Sequence, residues 1–264
     1  MLMKSRKLLN ITIFIIFFIT VSLAFSLSCQ VKGLSTGDQA ETAAPDSLEK
    51  DDQIYFFDYT KIIIDTTQSQ DIKIKNSNIY ADIYGDLLIL GEVVNSSTIN
   101  KTDLEITFNF YDKLDNLIDS KTLQAFANYL KIGGVLPFIY NYEEKRKYID
   151  IAKIKIGINY KEYNKDLIGN PIAANENFYY SKDILKIEGK IINLGQNRIE
   201  DLKLLATFYN NKNQVVFVRK CNYLKNSLLP LEEEDFSLDI LMDEYIQPFT
   251  HYRIEAFFKD SLKT

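Results

Sequence analysis

Residues 104–111 alternate. Leu104, Ile106, Phe108 and Phe110 fall on one side, and Glu105, Thr107, Asn109 and Tyr111 on the other. A period of two predicts a β-strand with one buried face. A slip of one residue would bury Glu105 and expose Phe108, so the register is strongly specified. The same phase returns in Leu202, Leu204, Ala206 and Phe208. The stretch 103–112 thus recurs at 201–210, an offset of 98 residues (201 − 103). Leu90-Gly91-Glu92-Val93-Val94-Asn95 lines up with Glu188-Gly189-Lys190-Ile191-Ile192-Asn193 at the same spacing. One small β-unit is written twice.

Further strands are expected at Leu87–Val94, ended by Asn95-Ser96-Ser97, and at Leu117–Thr122. Closing strands are expected around Ile154–Ile158 and Tyr252–Phe258, and Phe236–Ile240 alternates as well. Asp112–Asn116 suits a hairpin, with Asx side chains supporting the turn. Ile54–Phe57 and Ile62–Ile64 are short apolar runs whose type periodicity leaves open. Leu136-Pro137 and Leu229-Pro230 read as equivalent corners, which makes the second copy about five residues shorter there. Lys121–Gly134 has room for a short helical turn ended by Gly133-Gly134. Asn164–Asn177, with Gly169 and Pro171, reads as the linker region. Many short strands with regular turn signals predict an all-β chain of two antiparallel β-sandwiches, residues 53–165 and 172–264.

The N-terminus is patterned differently. Lys4, Arg6 and Lys7 precede an apolar run from about Leu8 to Leu27. That order marks a secretory signal, and the run is also long enough to span a bilayer as a retained anchor. Ser26-Leu27-Ser28-Cys29 resembles the lipobox of bacterial lipoproteins, with Ser26 where Leu is commonest; relaxed lipoboxes of this kind occur in spirochaetes. The resemblance implies a signal peptide over 1–28, acylation (palmitate among the chains) at Cys29, and a lipidated tether over 29–52. Residues 30–52 are polar and acidic, too poor in apolar area to order themselves. Either reading places the rest of the chain outside the cytoplasm, periplasmic or at the cell surface, because the basic cluster stays inside.

Charge narrows the partners. Removing residues 1–28 takes three positive charges from a net of −5, leaving −8 (−5 − 3). An acidic ectodomain lacks the basic face that displaces counterions from nucleic acid. The expected partners are the membrane, through the lipid, and an envelope protein or glycan. With Cys29 acylated, Cys221 has no intramolecular partner and is expected as a buried apolar thiol.

At Phe108-Asn109-Phe110-Tyr111-Asp112 the chain resembles the FxLYD domain, a β-sandwich module of bacterial and archaeal envelope proteins, with Phe110 in place of Leu. The glycine and asparagine of Gly91–Asn95 fit the family's opening strand, while Ala206–Asn210 is a weaker copy. The resemblance implies immunoglobulin-like sandwiches and an extracytoplasmic place. It carries no catalytic residues.

Chemistry is sparse. One histidine is present, His251, at the opening of the last strand, and no nucleophile elbow, phosphate loop or HExxH occurs. No catalytic residues, metal site or cofactor are expected. Asp112, Asp115 and Asn116, and the run Glu232–Asp235, lack calcium-loop spacing and read as solvated turns. Tyrosines 140, 142, 148, 160 and 163 cluster, as do Phe178-Tyr179-Tyr180. Tyr140 and Tyr142 are the binding candidates. The expected function is a non-enzymatic, membrane-anchored envelope lipoprotein serving as a protein-interaction or structural module; the alternative is a carbohydrate-binding module. The first predicts an exposed aromatic patch or open sheet edge, the second exposed tyrosines in a groove with nearby Asn or Asp, and a hydrolase a deep pocket of convergent carboxylates.

Overall fold

Each alternating segment forms a strand in the computed structural model, which describes residues 58–66, 69–82, 85–143, 150–241 and 247–260. The first repeat holds β1 (Ile63–Thr66), β2 (Ile72–Ala81), β3 (Leu87–Asn95), β4 (Asn100–Tyr111), β5 (Leu117–Gln124), β6 (Tyr129–Leu130), β7 (Val135–Tyr142) and β8 (Lys153–Tyr163). The second holds β9 (Pro171–Ser181), β10 (Ile184–Asn193), β11 (Ile199–Tyr209), β12 (Val215–Lys220), β13 (Glu233–Leu241) and β14 (His251–Asp260). The order β2-β3-β7 faces β1-β8-β4-β5 in the first repeat, with β6 also on β4; β9-β10-β13 faces β12-β11-β14 in the second. This is an all-β sandwich architecture. Pairing is antiparallel except for β1, which runs parallel to β8.

The predicted register holds. Leu104, Ile106, Phe108 and Phe110 are buried, as are Leu202, Leu204, Ala206 and Phe208. The two cores share their devices. Gly91 lies opposite Phe138 and Gly189 opposite Phe236. A Cβ at these glycines would stand 2.7 Å and 2.8 Å from the facing ring tips, so the rings fill the space a side chain would take. Buried Asn95 donates through Nδ2 to the carbonyls of Ile99, Leu130 and Lys131; Asn193 donates to those of Asn197, Leu228 and Leu229. Each amide ties the β3–β4 or β10–β11 turn to the corner before the next strand of its own sheet. Asp112 and Asn210 each accept two backbone N–H groups in the following hairpin, which explains an acid or amide there.

These matches correct the corner assignment. Leu136-Pro137 lies inside β7, the edge strand of its sheet, where Pro137 pairs with Glu92 of β3 and a missing N–H is tolerated. Leu229-Pro230 lies in the corner before β13, matching Lys131-Ile132. The offset of 98 therefore runs from β3 through β14, and no five-residue deletion exists. Lys121–Gly134 holds no helix: β5 continues to Gln124, Ala125 and Ala127 are buried at strand spacing, and β6 follows. The linker is short and tied. β9 already begins at Pro171, the N–H groups of Ile168 and Gly169 donate to Asp260, and the Leu194 N–H donates to the Asn170 carbonyl.

The repeats meet face on face. Tyr80 and Leu90 on the outer side of β2 and β3 pack with Tyr209, Val215 and Val218 of β11 and β12 in one buried cluster. Tyr80 Oη donates to the Val216 carbonyl at 2.6 Å, and Asn78 Nδ2 to the Val215 carbonyl at 3.0 Å. For this reason β11 is buried on both faces over Leu204–Tyr209, while β4 is buried on one.

The corner amides give a prediction. Asn193→Ala leaves three carbonyls without their shared donor and is expected to cost about 2–3 kcal/mol, read as a lower urea midpoint. Asn210→Ala, in an exposed turn, is expected to cost under about 1 kcal/mol.

Candidate functional site

Cys29, the lipidation candidate, lies outside the described residues, as does Tyr148. Tyr140 and Tyr142 do not form a binding surface. Tyr142 is 0% exposed, its ring lies 4.4 Å from that of Phe110, and its hydroxyl donates to Asp119 at 3.1 Å. Tyr140 stacks on Phe108 at 4.7 Å. The cause is phase: from Leu136 and Phe138, every second residue of β7 points into the core, and both tyrosines keep that parity. Of the other clustered tyrosines, Tyr160 lies under the ammonium of fully buried Lys101 at 4.9 Å, and Tyr163 packs edge-on against Tyr129. The Asp112–Asn116 segment is a hairpin turn, with Asp115 paired to Lys153. Glu232 and Glu234 pair with Lys225, and Glu233 with Lys190. His251 is exposed, opens β14 and stacks on Tyr209 at 4.9 Å.

Two features stand out, and neither was expected from the sequence. The first is a charged cluster between the repeats, built around buried Glu92. Glu92 of β3 is 2% exposed. It accepts from Asn76 Nδ2, from Tyr209 Oη at 2.6 Å and from Arg253 Nη2 at 2.7 Å. The same Nη2 meets the carboxylate of Glu255 at 2.9 Å. Burial, and then the hydrogen bond to Glu92, pushes the Tyr209 hydroxyl well above the usual phenol range. This cluster ties the repeats together, and its Glu255 also lines a cavity of about 280 Å³ beside Lys131.

The second feature is a groove on the outer side of β9-β10-β13. It encloses about 800 Å³ and is lined by Asn175, Asn177, Glu188, Asn222, Tyr223 and Ser237, among others. Register shows what this face is. Asn78 pairs with Leu90 and Tyr80 with Leu88 in the first repeat, and Leu90 with Ile139. In the second repeat Asn177 pairs with Glu188, Tyr179 with Lys186, and Glu188 with Ser237. Leu90, Leu88 and Ile139 are thus replaced by Glu188, Lys186 and Ser237. The first repeat covers this face with the second repeat; the second leaves it to solvent. Beside it lies an aromatic edge. Phe178 stacks on Tyr252 at 5.6 Å and touches Phe249 and Tyr180, and Tyr180 is 59% exposed. Period-two alternation in β9 was the available sign that Phe178 and Tyr180 share one side.

No family model and no curated protein sequence matches this chain. Among solved structures, red sea bream transglutaminase aligns over 73% of this chain and 29% of its own, at 6% identity and a TM-score of 0.24. The exo-chitosanase of Amycolatopsis orientalis aligns over 73% of this chain and 26% of its own, at 10% identity and 0.24. The tandem CBM22-1-CBM22-2 domain of Paenibacillus barcinonensis Xyn10C aligns over 73% and 87%, at 11% identity and 0.15. This chain spans under a third of the length of the first two. At these TM-scores none of the three bears on what the chain binds.

Cys221 follows β12, is buried, and has its thiol pushed up to about 12 by burial and then by the nearby Glu176 carboxylate. A thiolate is needed for attack. The native protein is therefore expected to leave Cys221 unmodified by a maleimide at pH 8, and urea to expose it within minutes, read by mass spectrometry of its peptide.

Proposed function

We propose that this chain is a non-enzymatic binding or structural module, held outside a bacterial membrane by a lipid on Cys29 and displaying its second repeat to a partner in the envelope. What carries the reading is the fate of one face. The first repeat turns β2-β3-β7 inward against its neighbour. The second repeat builds the same face, β9-β10-β13, with charged and amide side chains and a groove across it. Two of its carboxylates help hold the surface together: Glu234 accepts from the Leu224 N–H at 3.0 Å, and Glu188 from the Tyr179 hydroxyl. That arrangement suits recognition. The FxLYD-like reading is supported by the roles of its residues, since Phe108 and Phe110 fill the core and Asp112 caps the hairpin.

A glycan is the second reading, favoured by the groove's composition. Asn175, Asn177 and Asn222 offer paired donors and acceptors that match sugar hydroxyls, and Tyr223 offers a ring. The partner reading is favoured by the aromatic edge, because clustered exposed aromatic rings anchor protein interfaces.

Two experiments test this. Isothermal titration and pull-down from envelope extracts compare the wild type with an Asn177→Ala/Tyr223→Ala groove variant and a Phe178→Ala/Tyr180→Ala edge variant. A glycan reading expects the groove variant to lose binding to envelope polysaccharide by 10-fold or more, and a protein reading expects that loss in the edge variant toward a purified partner. Unchanged binding by both variants would remove the second repeat as the binding element. For the anchor, Cys29→Ala is expected to abolish incorporation of labelled palmitate and move the chain into the aqueous phase on detergent partitioning.

A further inference from the structure

The charged cluster between the repeats sets two carboxylates on one guanidinium. Two carboxylates, Glu92 from the first repeat and Glu255 from the second, share one guanidinium nitrogen of Arg253, at 2.7 Å and 2.9 Å. Glu92 is met by three donors, from Asn76, Tyr209 and Arg253. Glu255 is served less well. Among the described residues its Oε2 has no hydrogen aimed at it although it is buried, and Arg253 Nε and Thr207 Oγ1 are likewise buried without a hydrogen-bond partner. Elsewhere around the cluster, β12 contributes apolar Val215 and Val218, β14 also brings His251, stacked on Tyr209, and the β6–β7 corner brings Lys131, which acts on Glu255 from beyond ion-pair distance. Lys75 pairs with Glu92 across β2–β3 and is solvent-exposed. A buried carboxylate and a partly buried one thus compete for one half-exposed guanidinium at an interface, and a proton on the less well served of the two removes the competition.

We propose that the junction between the repeats is a proton-operated latch, closed with a proton on Glu255 and loosened when that proton leaves. Loss of the proton places a second bare carboxylate against Glu92 across the interface, with Arg253 unable to satisfy both. Separation of the faces returns Glu255 and Glu92 to water and relieves the repulsion. The direction follows from burial, which pushes the Glu255 carboxyl up to about 7 against the ordinary 4.5, the Arg253 charge opposing and Glu92 reinforcing. The closed form then binds more protons than the open form between those two values. Closure is favoured at acidic pH, weakens as pH rises through that window, and levels off above it.

Hydroxyl-radical footprinting of the full-length chain reads the latch. Tyr80 and Tyr209, buried at the junction, report opening, and Tyr142, buried inside the first repeat, is the reference. Oxidation of Tyr80 and Tyr209 relative to Tyr142 is expected to rise about 30-fold from pH 5.5 to pH 8, with its bend near 7. Glu255→Gln is expected to hold the low value at every pH, and His251→Phe to keep the whole rise. A flat wild-type profile, a bend at ordinary carboxylate pH, a rise that survives Glu255→Gln, or one abolished by His251→Phe would each overturn the latch. Should Glu255→Gln fail to fold, the position of the wild-type bend together with His251→Phe decides.

Discussion

A buried carboxylate on one repeat, satisfied only in part by its own repeat, holds this molecule's two halves in one arrangement. Glu92 takes Asn76 from beside it and its other two donors, Tyr209 and Arg253, from the second repeat. Removing one partner from a buried, hydrogen-bonded charge typically costs about 3–5 kcal/mol. The surrounding Tyr80, Leu90, Val215 and Val218 supply nonspecific apolar burial, which would tolerate sliding. Glu92 does not tolerate it, because hydrogen bonds have direction. The apolar contacts bring the faces together, and the charged cluster selects one register.

That constraint explains why two copies of one unit differ where they do. Each keeps the devices that close its own core: the glycine under a ring, the asparagine that binds three carbonyls, the Asx-capped hairpin. These answer to forces inside a sandwich, so both copies need them. The outer faces answer to neighbours. β3 presents Leu88 and Leu90 where β10 presents Lys186 and Glu188, and β11 presents Leu205 where β4 presents Thr107. Polar outer faces also discourage a third unit from adding to the stack, as terminal repeats do in longer arrays.

The same division separates the parts of the molecule open to partners from those that are not. Of the clustered tyrosines, Tyr142 is a core residue and half-buried Tyr140 packs against the core. Among the described residues the exposed rings include Phe126, Phe178 and Tyr180, the last two on an edge strand that the sequence marks less strongly. An Asn-lined groove lies across the neighbouring strands of the second repeat. Most of its lining stands on β9, β10 and β13, with Asn222, Tyr223 and Leu224 supplied by the segment after β12.

Strand phase, repeat offset, the turn residues and the identity of the core were legible in the chain, because each depends on neighbours two to five residues away or on a copy of itself. Phe108, Phe208, Asn95 and Asn193 could be placed in that way. The linear order failed where a residue's partner came from another strand or another repeat. Pro137 looked like a corner until its pairing with Glu92 placed it in an edge strand. The tyrosines of β7 looked like a surface until their parity was carried over from Phe138. Glu92, Tyr209, Arg253 and Glu255 carried no signal at all, since they lie up to 163 positions apart (255 − 92) and become a cluster only when two faces close on each other. Local periodicity reports which side of a strand is apolar; only the packed chain decides what that side, or its opposite, is packed against.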